Sequence, residues 1–180
     1  MSQSKLGSPV PPEVTPELSS ALGRVPSGRF VLTAHHEDRR GGMLVDWVQR
    51  VCQAPPMLSV AVEKGKPIMP LISESRRFAL CQLGEDDRVM RRKFARDSEP
   101  GDDPFLGYDL VPSKLGGVPI IKDALAYFEC ELACHMDVEG DHDLFVGVVH
   151  AAGAQTGQPW LRFDTEDAPM GEDSPAAPDA

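Results

Sequence analysis

The sequence lacks the features that mark membrane, exported and nucleic-acid-binding proteins. No stretch approaches the roughly 18 uncharged apolar residues of a membrane helix. The first 14 residues contain no apolar run like the centre of a signal peptide. Basic residues are in the minority, with 18 Lys and Arg against 28 Asp and Glu and a net charge of -10, which disfavours a broad contact surface for phosphates. We therefore expect a cytoplasmic protein that binds neither nucleic acid nor membrane.

Sequence motifs for nucleotide and metal binding are missing as well. Neither GxGxxG nor the P-loop pattern GxxxxGK[ST] occurs, so a nucleotide-like ligand has to be held in another way. The four cysteines show no CxxC spacing and no Cys/His pairing of the zinc-site kind, and no metal site is predicted. Free thiols fit a reducing cytoplasm. Cys130 and Cys134 are expected on one face of a strand as small core residues.

Many short apolar runs separated by turn residues predict a mainly β protein. Short helices are predicted after Thr15, from Lys66 to about Ser73, and after Asp86 or Asp87. Strands at this spacing, with only two or three short helices, favour an antiparallel barrel or sandwich over a βαβ sheet. The main predicted strands are 29–36, 43–48, 57–63, 78–84, 124–136 and 142–152.

The two ends of the chain differ in composition from the region between them. Residues 1–14 contain three prolines and no periodicity, which predicts a flexible arm. Residues 165–180 form an acidic Pro/Ala-rich tail that is predicted to be disordered. Residues 15–164 are then expected to form one domain, of a usual size.

Residues 41–67 are the most informative part of the sequence for function. An apolar strand, a polar crossing segment, Pro55-Pro56, a second strand and then Lys64-Gly65-Lys66 follow one another. Backbone groups around 46–48 could bind the edge of a flat heteroaromatic ring, and a glycine between two lysines could meet a terminal phosphate. A strand pair that ends in a solvated basic turn explains the same residues without any ligand.

Six blocks of sequence occur together in the order found in one known family. The chain resembles the flavin-reductase family with the FMN-binding split-barrel fold, particularly the flavin-reductase domain fused to cyanobacterial flavodiiron proteins. The resemblance covers most of residues 20–150, and it implies an antiparallel Greek-key barrel that binds FMN at a homodimer interface. The blocks are LGRVPSGRFVLTA (22–34), GGMLVDWVQRVCQAPPMLSVAVEKGKPI (41–68), RFALCQLGE (77–85), KFAR (93–96), DALAYFEC (123–130) and GDHDLFVGVV (140–149).

The resemblance also implies which residues form the site. Residues 44–48 would border the flavin ring, 51–52 the ribityl chain and 64–66 the phosphate, while Phe94 flanks the site. His142 would be the catalytic residue, near the reactive face of the ring where the nicotinamide stacks. The expected cofactor-binding residues are Leu44, Val45, Asp46, Trp47, Val48, Val51, Cys52, Lys64, Gly65, Lys66 and Phe94.

The implied activity is that of an NAD(P)H-dependent flavin reductase. Hydride would pass from NADH or NADPH to FMN, with FAD as the alternative flavin, and electrons would leave to a free flavin, oxygen or a redox partner protein. Two residues depart from the family, which usually has a small polar residue in place of Asp46 and Ser or Thr in place of Cys52. A carboxylate near the ring would oppose the anionic reduced flavin. These departures keep open an electron-relay module without nicotinamide activity, or a degenerate split barrel.

Overall fold

The computed structural model describes residues 15–96 and 101–162. The predicted arm (1–14) and acidic tail (165–180) therefore lie outside the described residues. Contacts place the described residues in two units, 15–26 and 27–162. The described part of the first unit carries α1 (Pro16–Leu22), whose Leu18 N–H donates to Thr15 Oγ1 as the sequence predicts for an N-cap.

The second unit is built around one antiparallel sheet of seven strands, in the order β3-β2-β6-β9-β10-β5-β4. Short strand pairs β1 with β11 and β7 with β8 complete its described secondary structure, together with two helices. The mainly β prediction is confirmed. The elements are β1 (Ser27–Gly28), β2 (Phe30–His36), β3 (Arg39–Val45), β4 (Val48–Gln53), β5 (Pro56–Glu63), α2 (Ile68–Ser75), β6 (Arg77–Gln82), α3 (Arg88–Phe94), β7 (Leu110–Val111), β8 (Ile120–Ile121), β9 (Ala126–Asp137), β10 (His142–Ala154) and β11 (Leu161–Arg162).

A link of two residues joins the two opposite edges of the large sheet. Strands β3 and β4 are at these edges, yet only Asp46 and Trp47 separate them in the chain. Seven flat strands would place the edges roughly 29 Å apart, whereas the three Cα–Cα steps from Val45 to Val48 span at most about 11 Å. The sheet therefore has to curl into a barrel. Within the described residues no ladder pairs β3 with β4, so the barrel is split.

Both faces of the central strands are buried, in two separate clusters. One face of β2 and β6 contributes Phe30, Leu32 and Phe78 to the first cluster, to which α2 adds Ile72. The other face contributes residues such as Cys81 to the second cluster, with α3 and the segment from 105 to 124. Strands that are buried on both faces have nearly continuous apolar sequences, which explains the run FVLTA in β2.

Two expectations about the strands are wrong in detail. The strand predicted at 43–48 ends at Val45, and the polar segment 49–53 belongs to β4 instead of crossing between strands. Because β4 is an edge strand, its polar side chains face solvent, and the alternation that would have revealed it is weak. Cys130 is buried as expected, but Cys134 is exposed, since the pairing of β9 with β10 shifts register just before it.

Gly147 lies at this register shift, at a place where a side chain does not fit. A Cβ there would approach Phe78 Cζ to 2.6 Å and Cys130 Cβ to 2.7 Å. We expect Gly147→Ala to lower the free energy of unfolding by about 1–3 kcal/mol, because overpacking forces neighbours off their preferred rotamers. Gly140→Ala is the control, since its Cβ would meet nothing nearer than 4.0 Å. Equal losses for both variants in urea denaturation would contradict this packing.

Candidate functional site

The corner between β3 and β4 buries one of its side chains and exposes the other. The Asp46 side chain is only 15% exposed, and its Oδ1 lies 3.9 Å from Nε of Arg29, which is 4% exposed. Trp47 is 49% exposed. The backbone between them is held, since the Ala61 N–H donates to the Trp47 carbonyl at 3.1 Å and the Val48 N–H donates to the Asp46 carbonyl at 3.1 Å. The corner thus offers a fixed backbone and an exposed indole to a ligand.

His142 lies beside this indole. The two ring centroids are 4.8 Å apart, with an interplanar angle of 48°. His142 Nδ1 is 2.8 Å from Asp141 Oδ1, and this hydrogen bond is the main reason that the pKa of the Asp141 carboxyl is lowered. An ionised carboxylate can only accept, so Nδ1 carries the proton and Nε2 stays available for other partners. The imidazole is therefore held in one tautomer with one nitrogen committed.

The loop that follows β5 reaches the same end of the barrel. The Lys64 N–H donates to the Asp141 carbonyl at 2.9 Å, which places the loop next to the turn before His142. Gly65 has φ +85°, and a Cβ built on it would find no atom within 4 Å. Lys66 Nζ lies 3.2 Å from the Glu63 carboxylate. Open space between two lysines suits an anionic group, and the positive φ favours glycine there.

The ammonium group of Lys64 already has carboxylate partners. Its Nζ is 2.7 Å from Asp137 Oδ1 and 3.7 Å from Asp143 Oδ1. Asp143 is largely buried, and its Oδ2 lies 2.7 Å from Nε2 of His135, whose ring stacks on Phe145 with centroids 4.3 Å apart. The hydrogen bond between Lys64 and Asp137 is the largest cause both of the raised pKa of the lysine and of the lowered pKa of the carboxyl. An incoming anion at Lys64 would compete with Asp137 for the ammonium group.

The directions of these two pKa shifts determine the pH range in which the ion pair contributes to stability. Since the pKa of Asp137 is lowered, its contribution is present above its unfolded pKa and is lost as pH falls through the folded value. Since the pKa of Lys64 is raised, its contribution is present below its unfolded pKa and is lost as pH rises through the folded value. Both groups are therefore charged and paired at neutral pH.

Several predicted site residues offer backbone but little side chain to a ligand. Val45 and Val48 are buried in the first core cluster, and Leu44 packs against the second. Phe94 is 2% exposed, with its ring centroid 5.7 Å from that of Phe105. The structure gives Phe94 a packing role beneath β3, and a flavin contact for it stays a prediction.

Val51 and Cys52 lie at the other end of β4 from Trp47. Cys52 pairs with Met57 across the hairpin, and Val51 is an exposed bulge residue. Met57 is seven residues from Lys64 along β5, which corresponds to roughly 23 Å in a strand. Within one chain, the predicted ribityl and phosphate residues are therefore far apart. Trp47 lies between them along β5, because its carbonyl accepts from the Ala61 N–H.

Sequence reasoning missed the charged partners of the corner and of Lys64. A signal for Arg29 does exist, because the two-residue turn at Glu37-Asp38 pairs Phe30 with Val45 and so places Arg29 opposite Asp46. No comparable pattern points to the carboxylates around Lys64. Asp137 and Asp143 are direct cross-strand partners, a like-charge arrangement that is unfavourable without cations nearby.

Two absences concern the described part of the chain. Residues 15–96 and 101–162 contain no helix that is both long enough and apolar enough to cross a membrane. The same residues contain no cluster of three or more His, Cys, Asp or Glu side chains arranged to hold a metal ion. All four cysteines are free thiols.

Comparison with known proteins assigns the family. The flavin reductase like domain matches residues 22–168, most of the chain. This chain belongs to the flavin reductase-like family. The resemblance that the sequence blocks indicate is thereby confirmed, and so is the split-barrel fold, which solved flavin reductases share.

Similar proteins include both larger flavoproteins and small flavin reductases. Diflavin flavoprotein A 1 of Synechocystis sp. (strain ATCC 27184 / PCC 6803 / Kazusa) is 36% identical over 127 residues, which are 70% of this chain but 22% of that protein. The chain thus spans less than a quarter of the length of the curated relatives it matches. The NADH:FAD oxidoreductase SgcE6 of Streptomyces globisporus C-1027 has a TM-score of 0.75 and 28% identity, covering 86% of this chain and 95% of that one. Flavin reductase PheA2 has a TM-score of 0.70 and 27% identity, covering 83% and 94%.

The ion pair at the corner leads to a prediction about stability. Asp46→Asn removes the negative charge that faces the buried guanidinium of Arg29. We expect a loss of about 3 kcal/mol in the free energy of unfolding, because the buried guanidinium loses a carboxylate that offsets its charge. Asp38→Asn, in the exposed hairpin turn, is the control and should stay within about 0.5 kcal/mol of the unsubstituted protein. A wild-type denaturation midpoint for Asp46→Asn would show that this pair contributes nothing.

Proposed function

We propose that this chain is an FMN-binding flavin reductase that takes hydride from NADH or NADPH. The observation that carries the proposal is the exposed indole of Trp47 beside His142, next to the open, lysine-flanked space at Gly65. FAD is the alternative flavin. It is favoured by the likeness to SgcE6, which is described as an NADH:FAD oxidoreductase and has been solved with NAD and FAD fragments.

The residues at this end of the barrel fit a flavin phosphate. The indole offers a flat apolar surface, and the backbone at 46–48 that carries it is held by two hydrogen bonds. The Asp46 carboxylate lies 3.9 Å from Nε of Arg29, and this positive charge would offset the repulsion toward reduced flavin that the sequence alone suggested. Gly65 leaves room for a phosphate, and Lys64 would exchange Asp137 for it.

Bound flavin would supply the hydride-accepting ring, and the protein would bind and orient both reactants. Asp141 fixes the His142 tautomer, which leaves Nε2 to bind a polar group of the nicotinamide. Trp47 supports the imidazole from one side. Because orientation alone can supply a large part of a rate enhancement, these residues need no acid–base role to matter. Electrons would then leave to a free flavin, oxygen or a redox partner protein.

We infer a homodimer as the working unit. Val51 and Cys52 are roughly 23 Å along the ladder from Lys64, so one chain does not gather all the expected contacts around one flavin. Trp47 and Val51 are also exposed apolar side chains at one edge of the sheet, which suits an interface. A second copy would bring its own residues to the site. Four free thiols are consistent with a reducing cytoplasm as its location.

An anaerobic assay tests the activity directly. Purified protein is mixed with FMN and with NADH or NADPH, and bleaching of the flavin is followed against free FMN. We expect bleaching by the wild-type protein and at least about a tenfold slower rate for His142→Asn, since the nicotinamide loses its orienting group. His150→Asn is the matched control, because His150 lies on the same strand but pairs with Glu131.

The outcomes separate the candidate functions. A rate no higher than that of free FMN would overturn the reductase proposal. A yellow protein that NADH and NADPH leave oxidised, but that a reductase partner reduces, would identify an electron-relay module. A colourless protein with no thermal shift in the presence of FMN would indicate a degenerate split barrel.

The carboxylate on Lys64 predicts how flavins with and without a phosphate are distinguished. Asp137→Asn should tighten FMN binding about twofold to fivefold, since the ammonium group no longer has to leave a charged partner. Lys64→Met should weaken FMN binding. Riboflavin, which has no phosphate, is the control ligand, and its affinity should change in neither variant. Titration by flavin fluorescence measures all the affinities, and equal changes for FMN and riboflavin would place the phosphate elsewhere.

A further inference from the structure

A strongly basic surface lies on this acidic chain, away from the candidate flavin site. Residues 88–96 contain five of the 18 Lys and Arg and no Asp or Glu, although the net charge is -10. Four of these side chains line an open groove of about 640 Å³ together with Val89, Ala95 and Trp160. We call it the arginine groove, after Arg88, Arg91, Arg92 and Arg96.

Helix stability explains only part of this cluster. Arg91, Arg92 and Lys93 lie in the last turn of α3, where the helix dipole favours cations, but Arg88 is its first residue, where the dipole disfavours one. Arg88 and Arg92 are also a like-charge pair four residues apart, which destabilises a helix. Lys93 behaves differently, because its Nζ donates to the Leu106 carbonyl at 2.8 Å. Within the described residues, no ion pair is formed by Arg88, Arg92 or Arg96.

The surroundings of Trp160, at one side of the groove, disfavour a nucleotide as the ligand. The guanidinium carbon of Arg91 lies 5.2 Å from the Trp160 ring centroid, and that of Arg29 lies 5.0 Å from it. Because this ring already stacks with two guanidinium groups, it is a poor platform for a nucleobase. The groups left to bind a ligand are the planar guanidinium groups of the arginines, which bind carboxylates in a bidentate manner.

The spacing of the arginines favours an extended acidic segment. Residues 88, 92 and 96 rise roughly 6 Å from one to the next along a helix, and Ala95 keeps the right-handed helical backbone that carries the row past the end of α3. Side chains on one face of an extended chain repeat about every 6.6–6.8 Å. We propose that the arginine groove docks an extended segment of a partner protein with carboxylates at alternate positions.

This docking surface is connected to the corner of the barrel by side-chain contacts. Arg29 touches both the Trp160 ring and Asp46. A segment held in the arginine groove would therefore lie two side chains from the corner that presents Trp47. The proposal does not depend on flavin binding, because the side chains that line the groove belong to residues 88–96 and Trp160.

The test uses the full chain and two fluorescein-labelled peptides of the same composition, one alternating Glu and Ser and one with the Glu residues in a single block. Fluorescence anisotropy at about 50 mM NaCl measures binding, since higher salt screens exposed charges. A variant of the groove is compared with a control variant that loses the same charge elsewhere. The groove variant carries Arg88→Gln, Arg92→Gln and Arg96→Gln, and the control variant carries Arg24→Gln, Arg39→Gln and Lys114→Gln.

We expect the alternating peptide to bind the wild-type chain at least roughly tenfold more tightly than the groove variant, and the control variant to stay within about twofold of wild type. Equal losses in both variants would overturn the proposal, because they would reflect net charge alone. Equal affinity for the two peptides, or displacement by inorganic phosphate at millimolar concentration, would also overturn it. Flavin reduction with free FMN should be unchanged in both variants, so this test can fail while the reductase proposal stands.

Discussion

The structure depends on one constraint, the short connection between two distant edges of a sheet. Asp46 and Trp47 are all that separate β3 from β4, and this forces seven strands to curl until their edges come close at this corner. The side chains of these two residues differ in their surroundings. Asp46 pairs with a buried arginine at the closure, while the side chain of Trp47 is exposed. Fold closure and the candidate site therefore share a single corner of the backbone.

The charged groups around the candidate site fix the position of Lys64. Lys64 lies between two carboxylates that would repel each other across the β9–β10 ladder without it. His135 contacts Oδ2 of the buried one, Asp143, and its ring stacks on Phe145. These contacts favour one position of the lysine ammonium group. Such preorganisation lowers the entropy cost of binding, at the expense of a competing partner.

Local patterns predicted some parts of the molecule and missed others for physical reasons. The strands β2 and β6 have continuous apolar sequences because both faces are covered, and helix α1 begins at a recognisable cap. The edge strand β4 was missed because its polar residues face solvent. The site residues came from the family resemblance, and the partners of Lys64 could not be predicted because long-range register, which no local pattern encodes, brings them together.

The two-residue corner also has a consequence for the divergence of such chains. A segment that must span a fixed gap has no slack, so adding a single residue between Val45 and Val48 would reverse which side chain points to Arg29 and which to the surface. We therefore expect a change of length there to disturb the closure of the barrel even where both side chains are kept. In this part of the fold, the number of residues is a structural constraint in its own right.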